Sequence, residues 1–113
     1  MADMIVAGAG TTAANGTYVE NGTYGGNYQY VKSDGNLIRC SGVGAWVIGA
    51  SNIYFDPDYG WQGTLWYQST AYAKTPDNLT YTRISAGTSP APTVKEVTGV
   101  PKHFLYYARM RGN

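Results

Sequence analysis

Apolar and polar residues alternate with a period of two over short runs of this chain, the pattern of half-buried β-strands. In Tyr28-Gln29-Tyr30-Val31-Lys32, positions 28, 30 and 32 share one face, and 29 and 31 the other. In Leu37-Ile38-Arg39-Cys40, Ile38 and Cys40 oppose Leu37 and Arg39. Ser33-Asp34-Gly35-Asn36 separates the two runs, and together they predict a hairpin. Ala45-Trp46-Val47-Ile48 is β-branched and aromatic between glycines, which predicts a central strand. Asn52–Phe55, Thr64–Ser69 and Leu79–Ile84 follow as strands. The last of these has Leu79, Tyr81 and Arg83 on one side and Thr80, Thr82 and Ile84 on the other, with one face wet. Thr93–Val97 reads as a short strand, and His103–Met110 as a final ordered segment whose Phe and Tyr content favours strand over helix.

Turn residues punctuate these runs. Asn15-Gly16-Thr17-Tyr18 recurs as Asn21-Gly22-Thr23-Tyr24, which reads as turn, strand, turn, strand. Gly25-Gly26-Asn27, Asp56-Pro57-Asp58-Tyr59-Gly60 and Pro76-Asp77-Asn78 are further turns, because Gly supplies positive φ, Pro fixes φ, and Asp or Asn bonds its own backbone. Ser89-Pro90-Ala91-Pro92 cannot lie within a paired central strand and is read as a module boundary. The expected fold is all-β, a small antiparallel sandwich or barrel of about six to eight short strands with extended terminal segments. The expected division is residues 1–14 as an N-terminal arm, 15–94 as an aromatic module, and 95–113 as a C-terminal segment for subunit or partner contact. For Met4-Ile5-Val6-Ala7 an arm that adds to a neighbouring sheet and a packed first strand are equally compatible with the residues.

Composition sharpens this picture. At 113 residues the chain fills one domain and buries about two-thirds of its unfolded surface. With 11 tyrosines and three tryptophans, much of that area must come from amphipathic rings, which suit wet interfaces as well as cores. The formal charge of +1 argues against a nucleic-acid or anionic-membrane footprint over the whole surface. The acid-free tail holding Lys102, His103, Arg109 and Arg111 carries too few charges to prefer DNA and reads as a subunit contact. The lone Cys40 can make no intrachain disulfide and reads as a small buried hydrophobe. The amino terminus lacks the pattern of a secretory signal and no run approaches the ~20 apolar residues of a membrane span, so synthesis in a cytoplasm without a membrane partner is expected. The Asn-x-Ser/Thr sequons at Asn15, Asn21 and Asn78 are then turn chemistry.

The chemistry-bearing residues are sparse. One His and one Cys, far apart in sequence, give no zinc pattern, so neither metal nor cofactor is expected. Asp56-Pro57-Asp58-Tyr59-Gly60 starts like a calcium loop, but Gly60 stands where a side-chain oxygen is wanted and no bidentate Glu follows, so a plain turn is the better reading. No Ser or Cys is nominated beside His103, and carboxylates such as Glu20, Asp56, Asp58 and Glu96 form no distinctive pair. Gly8-Ala9-Gly10 is too short for a dinucleotide loop and reads as a joint. The positive signal is aromatic: Tyr54, Tyr59, Trp61, Trp66, Tyr67 and Tyr72 cluster along the chain. Such rings form either a core or a platform for sugars and protein partners. Trp46 and Trp66, in strands, incline to core, whereas Tyr59 and Trp61, in a loop, incline to surface. The candidate platform is Tyr59, Trp61 and Trp66.

Asn15-Gly16-Thr17-Tyr18, Tyr28-Gln29-Tyr30, Trp46-Val47-Ile48, Leu65-Trp66-Tyr67-Gln68-Ser69, Thr75-Pro76-Asp77 and Pro90-Ala91-Pro92-Thr93-Val94 resemble a small N-G-x-Y module that recurs in bacteriophage tail-fibre and other virion proteins. The resemblance spans about residues 15–94, with residues 49–63 as extra material between two of its strands. It implies a non-enzymatic virion structural protein, either a tail-fibre or tail-tip element or a capsid decoration subunit. Such a protein would be made in a bacterial host cytoplasm and would assemble through its ends as a homo-oligomer and with other virion proteins. The alternative class is a carbohydrate-binding module for host surface glycan; a small hydrolase with two interacting carboxylates is the third.

Overall fold

The computed structural model describes residues 3–97. The expected segment His103–Met110 and the basic tail lie outside the described residues. The described residues form ten strands: β1 (Met4–Ala7), β2 (Gly16–Tyr24), β3 (Asn27–Val31), β4 (Leu37–Cys40), β5 (Trp46–Gly49), β6 (Tyr54–Asp56), β7 (Gly60–Gln62), β8 (Leu65–Ser69), β9 (Tyr81–Arg83) and β10 (Thr93–Glu96). Eight of them make one antiparallel sheet in the order β10-β1-β2-β3-β4-β5-β8-β9, and β6 pairs with β7 separately. The sheet curls until its edges meet, where the Asn78 N–H donates to the Val94 carbonyl at 2.9 Å and Lys95 Nζ donates to Asn78 Oδ1 at 2.8 Å. The architecture is a nearly closed antiparallel barrel, which leaves little free strand edge.

Alternation sorts the residues as the sequence implies. Met4, Val6, Tyr18, Tyr30, Ile38, Cys40, Trp46, Ile48, Tyr67, Tyr81 and Val94 fill the interior. β5 is central and buried along its whole length because both of its faces are covered. Trp46 and Ile48 face inward, while Val47 joins Leu37 and Ile53 in a second apolar cluster that also takes Val31, Trp61 and Leu65. Four ring tips in the main core are satisfied by loop carbonyls: Tyr18 Oη donates to Ala14 O at 2.7 Å, Tyr67 Oη to Thr88 O at 2.6 Å, Tyr81 Oη to Pro76 O at 2.6 Å, and Trp46 Nε1 to Ala73 O at 2.8 Å. A core made of rings with polar tips therefore also fastens the loops at the barrel ends.

Three expectations need correction. The repeated Asn-Gly does not make two turns. Asn21-Gly22 lies inside the nine-residue β2, where pairing with β3 slips between Glu20 and Thr23. Gly22, at φ 73°, absorbs one extra residue as a β-bulge. The reversal comes at Gly25-Gly26, with φ of 61° and 86°, the two positive values that a tight two-residue hairpin turn requires. Residues 4–7 are no projecting arm: β1 is hydrogen-bonded to both β10 and β2, with Met4 and Val6 buried. Residues 9–15 are tied down as well, by reciprocal bonds between Ala9 and Asn15 and by Lys32 Nζ donating to the Ala13 carbonyl. Ser89–Pro92 separates no modules. It returns the chain to β10, with Pro92 buried and the Gly10 N–H donating to Pro90 O at 2.9 Å.

Candidate functional site

The stretch 49–63 holds the β6–β7 hairpin. Its tip is an aspartate turn: Asp56 Oδ1 accepts from the Asp58 N–H at 2.8 Å and the Tyr59 N–H at 3.3 Å, and Gly60 takes φ 80°. One oxygen of the carboxylate considered for calcium is thus spent on its own backbone. Phe55 and Trp61 are cross-strand partners with centroids 5.6 Å apart, edge to face, and Trp61 also stacks on Tyr24 at 6.1 Å. Ring contacts of this kind contribute about 0.5–1.5 kcal/mol each beyond the area they bury. The Phe55 N–H donates to Tyr24 Oη at 2.7 Å, which ties the hairpin to the end of β2.

Arg39 completes the footing. Its Cζ lies 4.2 Å from the Tyr24 ring centroid, its Nε donates to Gln29 Oε1 at 2.7 Å and its Nη1 to Ile53 O at 2.8 Å. A guanidinium that is stacked and hydrogen-bonded in this way fixes the ring beneath the hairpin. Three rings of the hairpin remain exposed beside Pro57 and Asp58 at its tip: Tyr59 at 81%, Tyr54 at 50% and Phe55 at 38%. An open concavity of about 320 Å³ adjoins them, bounded by Tyr24, Gly25, Ser41, Gly42 and Phe55.

The three residues expected as a platform separate. Tyr59 is at the hairpin tip, open to solvent, and Trp61 is half-buried on the same hairpin. Trp66 is only 8% exposed and belongs to the main core, so it is no part of this face. The pairing of β5 with β8 slips at Ile48/Gly49, leaving Trp66 as the extra residue of β8; this puts it in the same core as its neighbour Tyr67. Tyr24, Phe55 and Arg39 were not among the expected site residues. Alternation set Gln29 opposite Tyr30 on one strand and Arg39 opposite Ile38 on the other, and the pairing of Tyr30 with Ile38 then brings Gln29 and Arg39 to one face; two long polar side chains were the available signal.

The ionisable groups buried in the core are structural. Burial drives the Tyr18 and Tyr81 phenols well above their ordinary range, Asp34 and Asp77 respectively adding to the shift. Tyr30 is pushed up to about 12 by burial, with Glu20 adding. Cys40 is buried as expected; burial raises its thiol, and its Sγ is 3.2 Å from the Gly44 carbonyl. Among the described residues no group of three His, Cys, Asp or Glu side chains is placed to hold a metal ion, and no helix is long and apolar enough to cross a membrane. Comparison with protein families, curated proteins and solved structures finds no match to this chain.

Proposed function

We propose that the chain is a non-enzymatic structural subunit of a bacteriophage virion, which associates with further copies of itself and with neighbouring virion proteins through the aromatic face of the β6–β7 hairpin. One observation carries this reading: a hairpin outside the main sheet holds Tyr54, Phe55 and Tyr59 open to solvent while Trp61, Tyr24 and Arg39 hold it rigid from below. Aromatic side chains on a preorganised support are the residues that anchor protein interfaces, since they bury much area and lose little rotamer freedom. The N-G-x-Y resemblance supplies the setting, and the extra hairpin is this chain's own addition to that module.

Sedimentation equilibrium of the whole chain tests the self-association. The native protein should associate in the micromolar range, and a Phe55→Ser, Tyr59→Ser double variant at least tenfold more weakly, the loss of roughly 1.4 kcal/mol. A native protein that stays monomeric up to about millimolar concentration defeats the self-association. Immunogold labelling of purified phage particles reads the virion assignment directly, and unlabelled particles defeat it.

A further inference from the structure

We propose that the groove between the Gly25-Gly26 turn and the loop following β8 binds a carboxylate-bearing polysaccharide, a function beyond the assembly role of the hairpin. The groove encloses about 570 Å³, and Tyr28, Tyr72 and Lys74 line it together with Asn27, Thr23 and Thr75. The loop carrying two of these residues is built from the core outward. Ser69 Oγ donates to Ala71 O at 2.8 Å, Trp46 Nε1 to Ala73 O at 2.8 Å and Tyr81 Oη to Pro76 O at 2.6 Å. Holding the carbonyls of 71, 73 and 76 leaves Tyr72 and Lys74 exposed in alternation. Tyr72 is held again at its tip, where Oη donates to Asn27 Oδ1 at 3.2 Å, and Asn27 in turn donates to the Gly42 carbonyl. Tyr28 lies on the core-facing side of β3 by alternation, yet it is 52% exposed.

A tyrosine ring held at its tip, a second one exposed beside it, two threonine hydroxyls and an amide are the equipment that recognises sugars: C–H faces stack on the rings, and hydroxyls exchange hydrogen bonds with the polar groups. Lys74 sets the charge. The lining contains no carboxylate, and Lys74 has no ion-pair partner among the described residues, so its ammonium complements a uronate or sialate carboxylate. Single-stranded nucleic acid also stacks on tyrosines, but it needs a cationic track along its phosphates, and this groove offers one lysine. Because the loop and the Tyr72 ring are already positioned, binding costs little ordering.

Retention of the whole chain on immobilised oligogalacturonate, oligoalginate and polysialic acid, beside cellohexaose, dextran and poly(dT), decides the matter. At least one acidic glycan should be held. Lys74→Ala and Tyr72→Ala should each weaken it about tenfold, as expected for losing a charge-assisted hydrogen bond or a stacking wall. Lys74→Arg should keep it, and raised salt should weaken it. Urea midpoints close to native establish that the variants are folded; if Tyr72→Ala falls short, the exposed Lys74→Ala and Lys74→Arg pair carries the test alone. The proposal is overturned if no acidic glycan is held more tightly than about 1 mM, if neutral glycans are held equally, if poly(dT) binds instead, or if Lys74→Ala changes nothing. A loss produced by Tyr59→Ser would move glycan binding to the hairpin face and also overturn it, whereas the association experiment reports on the hairpin independently.

Discussion

Ser69→Ala tests whether the loop beside the groove is held from inside the barrel. Ser69 is almost wholly buried, and its hydroxyl serves two groups: it accepts from the Trp46 N–H at 2.8 Å and donates to the Ala71 carbonyl at 2.8 Å. Alanine adds no steric problem and removes only the hydroxyl. The stranded Trp46 N–H, in a buried setting, costs about 1–3 kcal/mol, and the bond to Ala71 contributes about 1 kcal/mol more. A loss of about 2–4 kcal/mol follows, a large share of the roughly 5–15 kcal/mol available to a domain, and it should lower the melting temperature by about 10 °C or more. Urea unfolding followed by tryptophan fluorescence measures it, with the denaturant slope unchanged if only the native state is affected. Ser33→Ala, at an exposed serine, is the control and should stay within about 0.5 kcal/mol. If Ser69→Ala also stayed within about 0.5 kcal/mol, water would be replacing the hydroxyl, and the argument that core side chains shape this loop would fail.

Tyr67→Phe removes the donor to Thr88 O and the acceptor of the Thr11 N–H without leaving a cavity; a loss of about 1–3 kcal/mol, with faster hydrogen exchange at the Thr11 amide, is expected. Trp66→Ala should cost about 3–5 kcal/mol in equilibrium unfolding, and Tyr59→Ser no more than about 0.5 kcal/mol, the reverse order being incompatible with a buried Trp66. Alkaline pH should destabilise the fold. Tyr18, Tyr30 and Tyr81 keep their protons in the native state above the ordinary phenol range, so above about pH 10 the unfolded chain holds fewer protons. Stability is therefore complete below pH 10 and falls by up to roughly 1.4 kcal/mol per pH unit for each such group as the pH rises toward 12. Urea midpoints that are flat from pH 9 to about 11.5 would refute this.

Much of the fold was legible because its strands obey local rules. The hairpin of β3 and β4, the central Trp46-Val47-Ile48 strand, and the turn at Asp56–Gly60 each follow from alternation or turn chemistry within a few residues. The failures were of a different kind. Asn21-Gly22 carries the same local signal as a hairpin turn, and only the pairing of β2 with β3 turns it into a bulge. Met4–Ala7 satisfies an arm or a strand equally until β10, some ninety residues away, is known to pair with it. Trp66 alternates as a strand residue should, but the slip opposite Gly49 joins it to the main core. Arg39 illustrates the limit at the site: its face was readable, whereas its position over Tyr24 depends on a register that no local run encodes.

The closure of the barrel also bears on how partners are met. An all-β chain with a β-prone amino terminus invites association by strand addition, and such addition needs an edge with free N–H and C=O groups. β1 has neighbours on both sides, and the outer strands β9 and β10 are drawn together through Asn78 and Val94. On the barrel, contacts then fall to side chains, and the chain supplies few charged ones; among the described residues, unpaired strand edge is confined to the two-stranded β6–β7 hairpin and to β9 and β10. Its exposed rings lie where the core ties down the backbone that carries them: Tyr54, Phe55 and Tyr59 on a hairpin seated on Trp61 and Tyr24, and Tyr72 on a loop fastened by Ser69, Trp46 and Tyr81. The tyrosine and tryptophan that stand in for aliphatic packing inside thus do a second job, since their polar tips fix the geometry of the rings outside. Removing the polar tips of inward rings should accordingly disturb binding before it disturbs the sheet, and Tyr81→Phe is the sharpest instance. It keeps the apolar contact in β9 but frees the Pro76 carbonyl, so glycan retention should drop by more than its urea midpoint does; equal retention with a lowered midpoint would show that the two are not linked.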